Sequence, residues 1–178
     1  VTGAGDTFIS TLCLGMVNGK DIINSSRLAN MFSGDVIKHI GTVPPNIISI
    51  LKTHNKIIKN NKELEILKHY IKKYKKKTIF TTGCFDIIHG GHIESFREAS
   101  DMGDILFVAL NSDSSITRLK GENRPICPLE SRLAIVSSIS YIDFIIIISN
   151  LNNILTKHIH IFAKLYLNEI FEILIIFF

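Results

Sequence analysis

Thr81-Thr82-Gly83-Cys84-Phe85-Asp86-Ile87-Ile88-His89-Gly90-Gly91-His92 joins a short apolar run to a helical pattern, and this junction decides the architecture. Residues 78–82 read as a strand that ends at Gly83, and 91–102 carry the spacing of a helix. Working outward, 104–111 read as a second strand, 112–119 as a short helix and 120–128 as a loop. A helix opened by its proline then covers 128–140, and a third strand covers 141–148. Strands alternating with helices predict an α/β fold, a Rossmann-like parallel sheet with right-handed crossovers. Ligands of such sheets sit beyond the carboxyl ends of the strands, where Gly83 and Asn111 fall.

The junction also has a chemistry. A glycine at the strand end lets backbone amides approach a phosphate, and a helix starting near His89 to His92 aims its positive end at the same place. His89 and His92, three apart, share one face of the first turn, and Gly91 lacks the side chain that would hold an α-phosphate off. The loop Lys120-Gly121-Glu122-Asn123-Arg124-Pro125 adds two cations able to hold a departing pyrophosphate. Attack on the α-phosphorus of a triphosphate asks for little else: positive donors on the oxygens that gain charge, and an aligned nucleophile. These residues predict nucleotidyl transfer. Blander readings stand beside it. The two histidines also suit a surface pair or, with Cys84, part of a metal site, although spacing places no fourth ligand. Lys120 and Arg124 also suit a solvated loop. Asp86 fits a phosphate site or a helix-approach turn equally, and Cys84 and Cys127 fit packing better than reactivity.

The rest of the 178 residues is less regular. With 46% hydrophobic and 20% charged residues the chain is of the globular class. It opens at Val1 directly into Thr2-Gly3-Ala4-Gly5-Asp6-Thr7, a glycine-rich turn without a strand before it, and so reads as a fragment. A helix from Asp6 through Phe8, Leu12 and Met16 stops at Gly19, a second runs over 21–39 to Gly41, and a third begins at Asn46. Residues 52–77 hold ten lysines against Glu63 and Glu65, a local +8 in a chain of net +4. With only Tyr70 and Tyr74 interleaved, that run reads as a solvated basic helical linker over 55–77 rather than a nucleic-acid patch. Three scattered cysteines argue for a reducing, cytoplasmic setting. The apolar runs fall far short of the ~20 residues of a membrane span. Residues 149–178 lack Gly, Pro and Asp and fit neither period, so they are expected to be an aberrant or non-homologous tail.

Gly83 to His92, with its His-x-Gly-His run, resembles the signature of the cytidylyltransferase-like nucleotidyltransferases. Asn111-Ser112-Asp113, Arg118-Leu119-Lys120-Gly121 and Arg124-Pro125 narrow the likeness to the adenylyltransferase domain of the bifunctional heptose 7-phosphate kinase and heptose 1-phosphate adenylyltransferase family, over residues 78–148. Val1 to Phe8, with Arg27-Leu28-Ala29-Asn30, resembles the end of a ribokinase-like sugar kinase domain, over 1–54. The resemblance implies that His89 and His92 stabilise the α-phosphate in the transition state, with Lys120 and Arg124 on phosphates and Asn111 lining the nucleotide pocket. Gly83, Cys84, Phe85, Asp86 and Gly91 would complete that pocket. In the kinase part Asp6 would be the base for a sugar hydroxyl, and Gly3, Ala4 and Gly5 the anion hole. The substrates implied are a sugar phosphate and ATP with Mg2+, without nucleic acid or membrane, and with room for a homodimer. The kinase part is too short to hold a sugar, so no kinase activity is expected of it. The alternatives are a related cytidylyltransferase or FAD synthetase-like enzyme, and a non-catalytic decayed fragment.

Overall fold

The computed structural model describes residues 2–54, 56–149 and the pair 176–177. The chain divides into two compact units, residues 1–55 and 56–178.

The first unit is helical. Gly3 takes a left-handed φ of 89° and starts α1, Ala4–Val17. The helix therefore begins before Asp6, which sits exposed in its first turn rather than at its cap. α2, Ile22–Val36, is capped by the Asp21 side chain, which accepts the amide of Asn24 at 2.9 Å. In α3, Ile47–His54, Asn46 Oδ1 takes the amides of Ile48 and Ser49. Asp35, buried at the end of α2, accepts the Asn46 amide and the Ser49 hydroxyl, both at 2.6 Å, and so ties α2 to α3. Packing of α1 on α2 half-buries Phe8, Leu12 and Phe32, yet Ile9, Leu14, Met16 and Val17 stay exposed.

The second unit is the α/β fold. Its strands β1 (Ile57–Ile58), β2 (Thr78–Gly83), β3 (Ile105–Asn111), β4 (Phe144–Ile148) and β5 (Ile176–Phe177) form a sheet in the order β1-β4-β3-β2-β5. All pairings are parallel, with Gly83 opposite Leu110 and Asn111 opposite Ile148, so these strands end together. β3, at the centre, is buried from Ile105 to Leu110, the near-continuous apolar run expected of a strand covered on both faces. α5 (Gly90–Asp101) buries Phe96 and Ala99, and α7 (Leu129–Ser138) buries Val136; all three belong to the core with Leu106, Val108, Leu110 and Ile145. Full burial of a side chain such as Phe96 contributes about 1.5–3 kcal/mol.

Two expectations need correction. Most of the segment expected as a linker, 55–77, is part of the sheet unit. Ile57 and Ile58 pair with Ile145 and Ile146, and α4 (Asn61–Lys73) buries Leu64, Leu67 and Ile71. The Asn60 side chain accepts the Glu63 amide, while Glu63 accepts the Lys59 amide, a reciprocal start for α4. Lys62, Lys72 and Lys73 occupy the exposed face. β4, moreover, starts at Phe144 instead of 141; just before it Asp143 bonds Leu106 twice, its amide donating to the Leu106 carbonyl at 3.1 Å and its carboxylate accepting the Leu106 amide at 2.7 Å. The tail expected over 149–178 lies outside the described residues except for Ser149 and β5. Among the described residues no helix is long and apolar enough to cross a membrane.

Candidate active site

His89 is the N-cap of α5 and His92 stands in its first turn. The His89 amide donates to His92 Nδ1 at 3.3 Å, and the His92 amide donates to the His89 carbonyl at 3.0 Å, which brings the rings to 3.9 Å. Gly91 permits this arrangement: a Cβ there would stand 3.1 Å from the His89 ring. With Nδ1 engaged as an acceptor, neutral His92 carries its proton on Nε2 and is a hydrogen-bond donor there. Burial, then the charges of His89 and Lys120, hold its pKa below the usual 6.5. Lys120, exposed in the last turn of α6 (Asp113–Lys120), is thus electrostatically coupled to His92.

The β2–α5 turn is built from the inside. Phe85, at φ 45°, folds its ring back over Gly83, where a Cβ would lie 2.7 Å from the ring. That ring is buried in the core, 5.4 Å edge-on from His92 and 5.1 Å from Phe96. The absent side chain of Gly83 makes room for Phe85, and any part Phe85 plays toward a nucleotide runs through its backbone.

Asp86 is a brace. Its Oδ1 accepts the amides of Ile126 and Cys127 at 2.8 and 2.9 Å, and Oδ2 accepts Arg124 Nη1 at 2.7 Å. Burial opposes its ionisation, but the Cys127 amide, the Arg124 guanidinium and the Ile126 amide outweigh it and hold the carboxyl below the usual range. Both carboxylate oxygens thus have partners within the turn and the loop before α7. Arg124 is drawn toward the β2–α5 turn by one arm, with its side chain 38% exposed. Asn111, at the end of β3, donates Nδ2 to Cys84 Sγ at 3.4 Å. The structure therefore gathers Gly83 to His92, Asn111, Lys120 and Arg124. Gly3, Ala4, Gly5 and Asp6 lie together at the start of α1 in the other unit. That unit also has an open cavity of about 530 Å³ bordered by Arg27, Asn30, Met31, Asp35 and Lys38, and none of the residues assigned to catalysis lines it.

Sequence reasoning missed Arg132. Its side chain is fully buried and uses four donors: Nε to the Cys127 carbonyl, Nη1 to the carbonyls of Cys84 and Asn111, and Nη2 to the carboxylate of Asp113. A lone arginine one turn into a helix carries no sequence sign of burial. Asp113, quoted above only as part of a motif, also accepts the Leu129 amide that opens α7. Among the described residues no group of three or more His, Cys, Asp or Glu could hold a metal.

Residues 80–164 match the family model described as cytidylyltransferase-like. The match marks this stretch of the chain as nucleotidyltransferase-like. Curated relatives named bifunctional protein HldE are similar to it. That of Campylobacter concisus is 39% identical over 153 residues, 83% of this chain and 32% of its own length. That of Pelobacter propionicus is 37% identical over 174 residues, 92% of this chain and 36% of its own. That of Helicobacter acinonychis is 40% identical, again over 83% of this chain. This chain thus spans about a third of the length of these relatives. A match of 83% cannot fit within 56–178 alone, so the likeness takes in part of the helical unit as well as the cytidylyltransferase-like domain. The solved lipopolysaccharide core biosynthesis protein of Thermoplasma volcanium GSS1 is 26% identical, covering 57% of this chain and 96% of its own, with a TM-score of 0.45.

Proposed function

We propose that residues 78–148, with β1 and α4 as further parts of the same unit, transfer AMP from ATP to heptose 1-phosphate, giving ADP-heptose and pyrophosphate for the lipopolysaccharide core. The observation that carries this reading is the His89–His92 pair at the amino end of α5, with rings 3.9 Å apart. A phosphate oxygen of the sugar phosphate attacks the α-phosphorus, a P–O bond forms, and the bond from that phosphorus to the bridging oxygen breaks toward pyrophosphate. Charge grows on the non-bridging α-oxygens and on the leaving group. His92 Nε2–H, the His89 ring and the positive end of α5 are placed to meet the first, and Lys120 and Arg124 to meet the second. No residue has to take a proton, since the attacking phosphate is already an anion. Mg2+ belongs to the ATP substrate; Asp86 and Asp113 are engaged by Arg124 and Arg132.

The helical unit, 1–54, is the end of a ribokinase-like domain, and Asp6 with the amides of Gly3 to Gly5 its catalytic turn. We further read the protein as a cytoplasmic enzyme. Pyrophosphate release tests the main reading. Release with ATP and heptose 1-phosphate supports it, release with CTP favours the related cytidylyltransferases, and silence with both overturns it.

A further inference from the structure

We infer that Arg132 is the positioning residue of the nucleotide half of this site, an inference that rests on the function proposed above. The side chain is fully buried and comes from α7, outside the turn that holds the histidines. A buried guanidinium persists only where its donors are met and its charge is balanced. Here four of the five N–H groups have partners, and the partners come from three separate places. Nη1 bonds the Cys84 carbonyl at 2.8 Å and the Asn111 carbonyl at 2.7 Å, so a single nitrogen pins the ends of β2 and β3 to each other. Nε holds the Cys127 carbonyl at 2.9 Å. Residue 127 is also the point where Asp86 receives its amide bond, three residues after Arg124. Nη2 pairs with Asp113, whose other oxygen accepts the first amide of α7, so the anion that balances the cation also fixes the helix that delivers it.

The residues gripped by Arg132 are those assigned to the nucleotide: Cys84, Asn111 and the loop that carries Arg124. None is assigned to the sugar phosphate. A residue that only stabilised the fold would weaken both substrates alike, whereas a positioning residue for the nucleotide acts selectively. Lysine retains the charge but offers one nitrogen at one point, and cannot bridge the two strand ends and the loop together.

The test compares the full chain with Arg132→Lys by steady-state pyrophosphate release and by amide hydrogen exchange. The expected result is a rise in KM for ATP of at least tenfold, with KM for heptose 1-phosphate within twofold. The Ile126 and Cys127 amides should exchange at least tenfold faster while those at the centre of β3 keep their rates. Unchanged exchange at 126 and 127 overturns the inference, as does an equal rise in both KM values or a parallel rise in β3 exchange. A wild-type chain that releases no pyrophosphate sinks the proposed function alone, and the exchange rates then decide this inference by themselves. Should Arg132→Lys fail to fold, Arg132→Gln replaces it with the same readouts and the same criteria, since its neutral amide cannot bridge the three carbonyls and the Asp113 carboxylate it leaves without the ion pair is 45% exposed.

Discussion

Asp86 and Arg124, thirty-eight positions apart in the chain, meet in a 2.7 Å ion pair that joins the β2–α5 turn to the loop before α7. The carboxylate is nearly sealed from solvent and the guanidinium is not. The pair thus leaves Arg124 with one arm held and the rest of its head accessible.

Asp86→Asn removes the charge that three donors share. Loss of charged hydrogen bonds of this kind costs about 1–3 kcal/mol, read as a lower midpoint in urea. Because the folded-state pKa is depressed, the stabilisation is fully present above the unfolded value near 3.8 and is lost as pH falls through the folded value. Wild type and variant should therefore converge in stability below about pH 3.8; a gap that stays constant down to pH 2 would refute the assignment.

Lys120→Ala removes one of the charges that depress the His92 pKa. The His92 ring resonance should titrate at higher pH in the variant, closer to 6.5, with α5 intact. A titration that stays put or moves lower contradicts the coupling.

His89→Ala and His92→Ala should each reduce kcat for pyrophosphate release about a hundredfold, the scale of losing one donor to a developing oxyanion. The double variant should fall short of the product of the two, because the two rings are in contact at 3.9 Å. Full additivity would mean independent roles.

Gly83→Ala places a methyl group 2.7 Å from the Phe85 ring. Overpacking of this kind costs about 1–3 kcal/mol and should shift the His92 ring resonance, since Phe85 stands edge-on to it. Gly90→Ala, with open space around its Cβ, is the control and should leave both quantities near wild type.

Leu67→Ala tests whether α4 belongs to the sheet unit. Leu67 is 1% exposed, and truncating a buried leucine costs about 2–5 kcal/mol. A solvated linker would register almost nothing.

The core of this architecture was readable because its signals are local. The apolar run of β3, the glycine at the end of β2 and the polar first turn of α5 each declare themselves within a few residues. α4 was legible as a helix but not as a packed one, since lysines crowd its exposed face and dilute the spacing of Leu64, Leu67 and Ile71. β1, at two residues, is too short to show a period, and it exists because Ile145 and Ile146 offer it an edge. In the site, the histidines and the two loop cations were legible by type and spacing. The roles of Asp86, Phe85 and Arg132 were not, because each depends on partners brought in from elsewhere in the chain. A carboxylate beside a helix start looks the same in sequence whether it faces a phosphate or braces a loop.

The contact of Phe85 with both Phe96 and His92 means that the hydrophobic interior and the reacting face have a common wall. A change of shape at residue 96, with no polar atom and no ligand nearby, would be felt as a tilt of an imidazole. Position 96 therefore answers to two demands at once, and a substitution there that the interior tolerates can still silence the chemistry.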